Sequence, residues 1–337
     1  MNPGVAIVGC GLIGRKRAAA LGGARLVACA DVDRPRAEAL AGTSAGAEAA
    51  DDWRAAIDRA DVGLVIVATT NDALADIARA AVEAGKHVLI EKPAGRSVAE
   101  IDELIDAARR HRRLVRVGFN HRYHPALRKA RELFEAGELG DLMFVRGRYG
   151  HGGRPGYDKE WRADPVRSGG GELIDQGVHL VDLSQWFLGE FAVVDGFAHT
   201  YFWQMPVDDN AFLVLRTARK QVAFLHVSCT EWKNLFSFEI YGTRAKLHVE
   251  GLGGSYGVER LAFYRMLPEM GPPETSTWEY PRGDQSWTLE FAEFLEDIRL
   301  EREPAAGLAA ARAALAVVEE VYRQSGFTHG RSTPDPR

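Results

Sequence analysis

The stretch Val5-Ala6-Ile7-Val8-Gly9-Cys10-Gly11-Leu12-Ile13-Gly14 decides the fold of this 337-residue chain. Its four leading apolar residues predict a strand that is buried on both faces. The strand runs into three glycines spaced G-x-G-x-x-G, and helix-favouring residues follow from Arg15 to Leu21. In such a turn Gly9 permits the sharp bend, Gly11 lets a pyrophosphate approach the backbone, and Gly14 lets the helix pack closely on the strand. The helix N-terminus then offers N–H groups to the anion, so the stretch predicts a dinucleotide-binding turn.

The next apolar run supports this prediction, because it ends in an acidic residue. Asp31 follows Leu26-Val27-Ala28-Cys29-Ala30 at the distance of about 20 residues that dinucleotide-binding folds use. A carboxylate there bonds the ribose hydroxyls and repels a 2′-phosphate, which favours NAD over NADP. Arg34 and Arg36 lie near enough in sequence to soften that preference. We therefore predict NAD as the cofactor and leave NADP open.

Strands and helices continue to alternate up to residue 121. Apolar runs predict further strands near residue 47 and over 63–69, 87–91 and 114–120. This alternation predicts an α/β domain with a doubly wound parallel sheet over residues 1–121, whose ligands bind outside the carboxyl ends of its strands. The residues expected to contact the cofactor at those ends are Gly9, Gly11, Leu12, Ile13, Gly14, Asp31, Thr69, Thr70, Asn71, Glu91 and Lys92.

The second half of the chain has a different pattern. A polar loop rich in glycine and arginine covers residues 151–171, a helix is predicted over 172–188, and strand-like runs separated by turn residues follow from 193 to about 280. Two more helices are predicted after residue 285. We therefore predict an α+β domain with a mostly antiparallel sheet over residues 122–330. The final residues, 331–337, are predicted to be disordered.

Composition excludes several classes of function. The net charge is −5 and no sustained basic run occurs, which argues against a nucleic-acid partner. No apolar run approaches the length of a membrane span, and the first strand begins too early to leave room for a signal peptide. The three cysteines are far apart and show no metal or redox spacing. We expect a soluble cytoplasmic protein without a metal site, in which the pair His121 and His124 lacks a neighbouring carboxylate for zinc.

A first candidate for chemistry is Lys92, in the loop Glu91-Lys92-Pro93 after the fifth strand. A lysine in such a place is more often a surface charge than a catalytic group. Its predicted position at the cofactor edge of the sheet favours a catalytic role. Pro93 could adopt the cis form, although the residues alone do not predict it.

A second candidate is the pair Asp175 and His179, which stand four positions apart on a predicted helix and so share one face. A carboxylate beside an imidazole can orient the ring and raise its basicity, which produces a general base near neutral pH. The alternative is a buried histidine with a structural carboxylate partner. Asp182, three positions beyond His179, is an equal candidate for orienting the ring, and spacing does not choose between the two carboxylates.

Four segments together resemble a known family. They are GCGLIG (9–14), ADVD (30–33), VLIEKP (88–93) and GGGELIDQGVHLVDLSQWFLG (169–189). In order and spacing, from residue 4 to about 190, the chain is similar to the glucose–fructose oxidoreductase/inositol dehydrogenase/MocA (Gfo/Idh/MocA) family of nicotinamide-dependent oxidoreductases. The resemblance implies oxidation of a secondary hydroxyl of a sugar or polyol to a ketone, or the reverse, by dimers or tetramers. It implies that Lys92, Asp175 and His179 are the catalytic set, and that the bond before Pro93 is often cis.

The resemblance extends to the expected substrate contacts, which are Asn120, Arg122, Tyr149, Trp161 and Arg162. Arg122 lies in a segment similar to the one that leads out of the family's nucleotide domain, and Trp161-Arg162 is similar to a pair near the nicotinamide. One departure concerns the end of the fourth strand. Many family members have proline after the threonine there and a histidine shortly beyond, whereas this chain has Thr69-Thr70-Asn71.

Two other functions fit the same residues. One is a ketoreductase acting on a nucleotide-linked keto-sugar, for which Arg154, Arg162 and Arg167 in the polar loop would hold the anionic group. The other is a regulatory protein that binds NAD and a sugar without catalysis. Such a regulator would tolerate loss of the lysine and the histidine, and this chain retains both Lys92 and His179.

Overall fold

The computed structural model describes residues 3–50, 52–328 and 331–332. They form two compact units, one made of Met1–Phe119 and Trp287–Leu315 and the other of Asn120–Ser286 and Ala316–Arg337. The predicted boundary after residue 121 lies two residues from the boundary found. The prediction placed residues 287–315 in the second domain, however, and the structure assigns them to the first unit.

The elements of the first stretch alternate as predicted, and their bounds are β1 (Gly4–Val8), α1 (Leu12–Ala19), β2 (Arg25–Ala30), α2 (Arg34–Ala41), β3 (Glu48–Ala50), α3 (Trp53–Ile57), β4 (Val62–Val67), α4 (Asn71–Glu83), β5 (His87–Ile90), α5 (Val98–His111) and β6 (Val115–Val117). The elements of the remaining chain are α6 (Pro125–Glu135), β7 (Leu142–Gly150), α7 (Pro165–Ser168), α8 (Val178–Leu188), β8 (Phe191–His199), β9 (Asn210–Thr217), β10 (Val222–Ser228), β11 (Leu235–Gly242), β12 (Ala245–Glu250), β13 (Glu259–Arg265), β14 (Glu274–Tyr280), α9 (Ser286–Leu300), α10 (Leu308–Gln324), β15 (Phe327–Thr328) and β16 (Arg331–Ser332).

The first unit is built on a parallel six-stranded sheet in the order β3-β2-β1-β4-β5-β6. This confirms the predicted doubly wound sheet. The strand order reverses between β1 and β4, and ligands of such sheets bind at that switch point, outside the carboxyl ends of the strands. The long apolar runs of β1 and β4 are buried because both faces of the sheet are covered.

Helix α9 completes the core of the first unit. Phe291 and Phe294 are buried in one cluster with Ile7, Leu64 and Ile66. The helical spacing of these phenylalanines requires that one face be buried, but it does not specify which core receives that face. This is why the sequence alone grouped α9 with the second half of the chain, whereas its residues from Trp287 onward cluster with the first unit.

The second unit contains an eight-stranded sheet in the order β14-β13-β12-β11-β7-β10-β9-β8. Strands β7 and β10 are parallel and the other neighbours are antiparallel, so the predicted mostly antiparallel sheet is confirmed. Helix α6 contacts β12, β13 and β14, while α8 contacts β7 and β10.

Three predicted segments differ in detail. The predicted helix 172–188 begins as a π-helical turn, Leu173–Gly177, before it continues as α8. The predicted loop 151–171 contains two short 3₁₀ turns and α7. In the predicted disordered tail, Arg331–Ser332 pairs with β15, and residues 333–337 lie outside the described residues. None of the helices in the described ranges has the length and apolar character needed to cross a membrane.

Candidate active site

The three glycines of the turn after β1 differ in whether packing within the chain requires them: Gly9 and Gly14 have no space for a side chain, and Gly11 has. Gly9 has φ +93°, and a Cβ added there would lie 2.4 Å from the carbonyl oxygen of Ala68. A Cβ at Gly14 would lie 2.0 Å from the carbonyl oxygen of Gly9. A Cβ at Gly11 would meet nothing within 4 Å, so packing within the chain does not demand glycine there. An open backbone position at the start of α1 fits the close approach of a pyrophosphate.

The Asp31 carboxylate lies at the end of β2, beside this turn. Its two oxygens accept hydrogen bonds from the backbone N–H groups of Cys10 at 2.7 Å and Asp33 at 2.8 Å. Each oxygen retains a lone pair for a ribose hydroxyl. The arginines that could attract a 2′-phosphate pair with carboxylates, Arg36 with Asp33 at 2.9 Å and Arg34 with Glu38 at 2.8 Å. This arrangement fits NAD better than NADP.

The other predicted cofactor contacts of the turn and of β4 lie at the same sheet edge. Leu12 and Ile13 form the first turn of α1, where Leu12 is largely exposed. Thr70 is the N-cap of α4, and its hydroxyl lies 2.6 Å from Oδ1 of Asp72. The Thr69 hydroxyl donates to the Thr70 carbonyl at 3.2 Å, and Asn71 is buried. Contacts of Thr69, Thr70 and Asn71 with a cofactor remain predictions.

The Glu91-Lys92-Pro93 loop follows β5, and the Lys92–Pro93 bond is cis, as the resemblance implies. The carboxylate of Glu91 accepts a hydrogen bond from Arg17 Nε at 2.6 Å, and a contact of Glu91 with a cofactor stays a prediction. Arg17 also donates to Glu290 of α9 at 2.5 Å. Lys92 is half-buried beside this anchor. Contacts with α1, which carries Arg17, and through it with α9, which carries Glu290, therefore hold the loop in place.

The charges of this anchor are out of water. Burial raises the pKa of Glu290, an effect that the Arg17 guanidinium opposes. Burial also disfavours the charged guanidinium, yet Glu91 and Glu290 together hold the pKa of Arg17 above its ordinary value. The guanidinium further lies 4.4 Å from the ring centre of Trp287. These contacts were missed from the sequence, because the two partners of Arg17 are 74 and 273 positions away.

In the second unit, the π-helical turn carries Asp175 and the first turn of α8 carries His179. Asp175 accepts a hydrogen bond from Arg162 Nε at 2.9 Å, and the Arg162 guanidinium lies 4.6 Å from the ring centre of Trp161. The attraction of Asp175 raises the pKa of Arg162. The structure therefore joins three predicted residues, Trp161, Arg162 and Asp175. Single π-turns occur often at functional sites.

The ring of His179 is buried and stacks on a second imidazole. The ring centres of His179 and His121 are 3.8 Å apart, with 25° between the planes. Tyr149, a predicted substrate contact, lies 5.2 Å from His121 and 6.3 Å from His179 between ring centres. Burial, together with the neighbouring phenol of Tyr256 and a hydrogen bond with it, raises the pKa of Tyr149 well above its ordinary value, so its hydroxyl stays protonated at neutral pH.

The second carboxylate considered for His179 has a different partner. Asp182 accepts from Arg122 Nε at 2.8 Å and from its Nη2 at 2.5 Å, which forms a buried bidentate pair. Burial raises the pKa of Asp182, and Arg122 opposes that rise. The guanidinium of Arg122, predicted to reach substrate, is therefore directed at Asp182.

Asn120, also predicted as a substrate contact, is buried in a chain of hydrogen bonds. Its Nδ2 donates to Ser286 Oγ at 2.8 Å, and Ser286 Oγ donates to Asp284 at 2.6 Å. Its Oδ1 lies 3.3 Å from His121 Nδ1. Asn120 therefore acts on His121 within the protein.

Asp208 and Tyr322 were not found from the sequence, although they hold the start of the segment that carries Asp175. Asp208 accepts from the backbone N–H groups of Gly171 at 2.9 Å and Leu173 at 2.8 Å, and from the Tyr322 hydroxyl at 2.7 Å. A Cβ at Gly171 would lie 1.9 Å from the Asp208 carbonyl oxygen. Glycine at position 171 therefore allows close packing against Asp208. In the sequence, the signal for this contact is limited to the pair Asp208-Asp209, because aspartate often accepts hydrogen bonds from the N–H groups at the start of a helix.

A further pair is formed by the half-buried His151 and the buried Glu172, which directly follows the glycine run 169–171. The N–H of Gly153 donates to His151 Nδ1 at 3.0 Å, so His151 Nε2 carries the proton that faces Glu172 at 3.4 Å. Burial lowers the pKa of His151, but Glu172 outweighs this effect and the net shift is upward. The pair places a further proton-carrying group on the segment that holds Asp175.

The H-x-x-H pair is directed to other contacts. His124 Nδ1 lies 2.9 Å from Glu259, and its ring centre is 5.5 Å from that of His121. Over residues 3–50, 52–328 and 331–332, no group of three or more metal-ligating side chains could hold an ion. Of the arginines considered for an anionic substrate, Arg154 lies 2.6 Å from Glu160. Arg162 is engaged by Asp175, as described above.

Comparisons with known proteins match both halves of the chain. Residues 4–119 match the model of an oxidoreductase family with an NAD-binding Rossmann fold, and residues 127–248 match the GFO/IDH/MocA C-terminal domain. Levoglucosan dehydrogenase of Pseudarthrobacter phenanthrenivorans is 30% identical over 226 residues, which cover 59% of this chain and 58% of that protein. Inositol 2-dehydrogenase 2 of Saccharopolyspora erythraea is 31% identical over 226 residues, which cover 64% of each chain. The match thus spans about three fifths of the length of these relatives.

A solved structure of levoglucosan dehydrogenase, in complex with NADH and levoglucosan, has the same fold. Its TM-score is 0.86 at 24% identity, over 96% of this chain and 98% of that chain. The two family models and the parallel sheet with its glycine turn agree with the resemblance found in the sequence. The chain belongs to the Gfo/Idh/MocA family of oxidoreductases, and its residues 4–119 form that family's NAD-binding Rossmann domain.

Proposed function

We propose that this protein oxidises a secondary hydroxyl of a sugar or polyol to a ketone, reversibly, with NAD as the hydride acceptor. The observation that carries the proposal is the anchoring of the neighbours of both candidate catalytic residues. Lys92 adjoins Glu91, which Arg17 holds, and His179 follows Asp175, which Arg162 holds. The names of the two relatives, levoglucosan dehydrogenase and inositol 2-dehydrogenase 2, support a polyhydroxylated substrate.

The first unit offers the groups that would hold NAD. The open backbone at Gly11 suits the pyrophosphate, and the Asp31 carboxylate suits the ribose hydroxyls. When bound, the nicotinamide supplies the acceptor for the carbinol hydride, and the protein supplies orientation and electrostatics.

In the proposed mechanism, His179 accepts the proton of the substrate hydroxyl as general base. Lys92 donates a hydrogen bond to the same oxygen and stabilises the charge that develops on it. Asp175, held by Arg162, orients His179 or binds a neighbouring substrate hydroxyl. Lys92 and His179 belong to different units, and their action on one substrate is part of the proposal.

Two of the three arginines considered for an anionic substrate face carboxylates, which supports an uncharged substrate over a nucleotide-linked one, while the third, Arg167, is exposed on α7. Arg154 lies 2.6 Å from Glu160, and Arg162 lies 2.9 Å from Asp175. An anionic substrate would have to compete with these carboxylates for the arginines. A neutral polyol would bind through hydroxyls without that cost.

The test is a screen of NADH production with levoglucosan, inositols, free sugars, sugar phosphates and nucleotide sugars. We expect turnover of a neutral sugar or polyol, and a fall in kcat of ~10²–10⁴ in both Lys92→Ala and His179→Ala, with nearly unchanged NAD affinity. Lys233→Ala and His111→Ala, at exposed positions, are the matched controls. Wild-type turnover by either catalytic variant would refute the assignment, and tight NAD binding without any turnover would indicate a regulator.

A further inference from the structure

The stacked pair of His121 and His179 has a role beyond packing. We propose that the two imidazoles share one proton, and that His121 is a positioning residue that keeps the ring of His179 available as a base. This inference rests on the proposed function in assigning His179 as the base. Its structural part, the sharing of one proton, concerns the second unit alone.

A chain of hydrogen bonds fixes the orientation of the His121 ring. Ser286 Oγ donates to Asp284, so it must accept from Nδ2 of Asn120 at 2.8 Å. The amide of Asn120 is thereby oriented with Oδ1 towards His121 Nδ1, at 3.3 Å. A carbonyl oxygen only accepts, so Nδ1 of His121 carries a proton in the neutral ring as well as in the charged one.

Stacking then limits how many protons the pair can hold. The ring centres are 3.8 Å apart, and both residues are buried, with 5% and 3% of their surface exposed. Two imidazolium ions in that arrangement would repel each other where little water screens them. The pair therefore takes up protons in two separate steps, and the second step lies well below the first. A proton on His121, next to Asn120 Oδ1, leaves His179 uncharged.

The other ionisable groups around the pair are matched with partners. From the π-turn and the polar loop, Asp175 pairs with Arg162 and Glu172 faces His151. Asp182 of α8 pairs with Arg122, and Glu259 of β13 pairs with His124, which precedes α6. From β7, the hydroxyl of Tyr149 hydrogen-bonds with that of Tyr256, and both stay protonated because burial raises the pKa of each phenol. Within the described part of the second unit, the like charge that we expect to act on His179 is therefore that of the stacked His121 ring. In the proposed mechanism the Lys92 ammonium is a further like charge, and it is the same in the wild-type protein and in both variants.

The test compares two substitutions that reduce, by different amounts, the repulsion that His121 exerts on His179. His121→Phe keeps a stacked ring and removes the second titrating group, so His179 alone takes up the proton. We expect the acid limb of the kcat/KM–pH profile to move to higher pH by about one unit. Asn120→Asp places a carboxylate beside the charged ring of His121 and partly offsets the repulsion that this ring exerts on His179, so the acid limb also moves to higher pH, by a smaller amount. A shift of either variant to lower pH, or the absence of any shift in His121→Phe, would overturn the proposal.

A second measurement does not depend on turnover. Titration of the ¹⁵N-labelled imidazoles by NMR, on the full chain without substrate, is expected to show two coupled steps for His121 and His179. In His121→Phe, His179 is expected to follow a simple one-proton curve. Joint protonation of both rings at one midpoint would overturn proton sharing whether or not a substrate is known. Coupled titration with an acid limb that follows neither ring would overturn the assignment of His179 as base and leave proton sharing intact.

Discussion

Replacement of Arg17 by methionine tests whether the loop that carries Lys92 is held by buried charge. In the wild-type protein, Arg17 donates to Glu91 at 2.6 Å and to Glu290 at 2.5 Å, and its side chain is fully buried. Methionine fills a similar volume without a charge. The substitution therefore leaves two buried carboxylates facing each other without the guanidinium they share, while Arg116, the neighbouring buried cation, is engaged by Asp297.

The magnitude follows from the number of charges left behind. Removing one partner of a buried ion pair lowers the unfolding free energy by about 3–5 kcal/mol. Arg17→Met should reach at least that range, because it leaves two buried carboxylates without their shared cation. Glu290→Gln is the matched control, since it leaves a one-to-one pair of Arg17 with Glu91 and keeps a hydrogen-bond acceptor. We expect that control to cost about 1 kcal/mol.

The loss should also depend on pH. In Arg17→Met the pKa of Glu290 rises further above its ordinary value in the folded state, because burial acts without the opposing cation. The folded variant then binds more protons than the unfolded chain, so its stability falls as pH increases. The difference in unfolding free energy from the wild type should therefore be larger at pH 8 than at pH 5.

The assay is urea unfolding followed by tryptophan fluorescence, which sums the seven tryptophans of the chain. One of them, Trp287, has its ring centre 4.4 Å from the Arg17 guanidinium. Titration with NAD before unfolding checks that the glycine turn is intact. A loss of unfolding free energy below about 1 kcal/mol for Arg17→Met would refute the reasoning, since that is no more than the contribution of a solvent-exposed ion pair. Equal losses for Arg17→Met and Glu290→Gln would refute it as well.

Three further predictions concern residues with distinct physical roles. Gly11→Ala should weaken NAD binding on the order of tenfold and leave the melting temperature nearly unchanged, because its Cβ meets no atom of the chain. Gly9→Ala should instead lower the unfolding free energy by roughly 1–3 kcal/mol, because its Cβ meets the backbone and the position has φ +93°. Calorimetry with and without NAD measures both effects, and a larger loss of stability in Gly11→Ala than in Gly9→Ala would contradict these roles. Asp31→Ser should reduce the preference for NAD over NADP by on the order of tenfold, since the repulsion of a 2′-phosphate by the carboxylate is lost. The ratio of the dissociation constants of NAD and NADP tests this, and an unchanged ratio would show that residues other than Asp31 set the preference. Burial raises the pKa of Asp208 to about 6, so protonation of this group makes the unfolding free energy fall as pH increases from about 4 to about 6. Asp208→Asn should remove that contribution to the pH dependence, roughly 3 kcal/mol. Equal slopes of unfolding free energy against pH in the two proteins would show that Asp208 does not titrate there.

The sequence by itself determined the first sheet and its cofactor edge. Apolar runs, the spacing of Gly9, Gly11 and Gly14, and the position of Asp31 are local patterns, and the parallel sheet confirms what they predict. Local patterns suffice here because a strand–turn–helix unit is built from contacts between residues close in the chain. The strand-rich second half was predictable for the same reason.

Tertiary structure alone decided what each buried polar group contacts. The sequence offered Asp175 and Asp182 as equal candidates for orienting His179, and the fold pairs them with Arg162 and Arg122. Arg17 finds Glu290 across 273 positions, and α9 packs in the first unit rather than the second. Helical periodicity specifies that a face is buried but not the surface that covers it. A buried charge finds its partner only when distant segments are packed together, because the desolvation cost that forces the pairing exists only in the folded core.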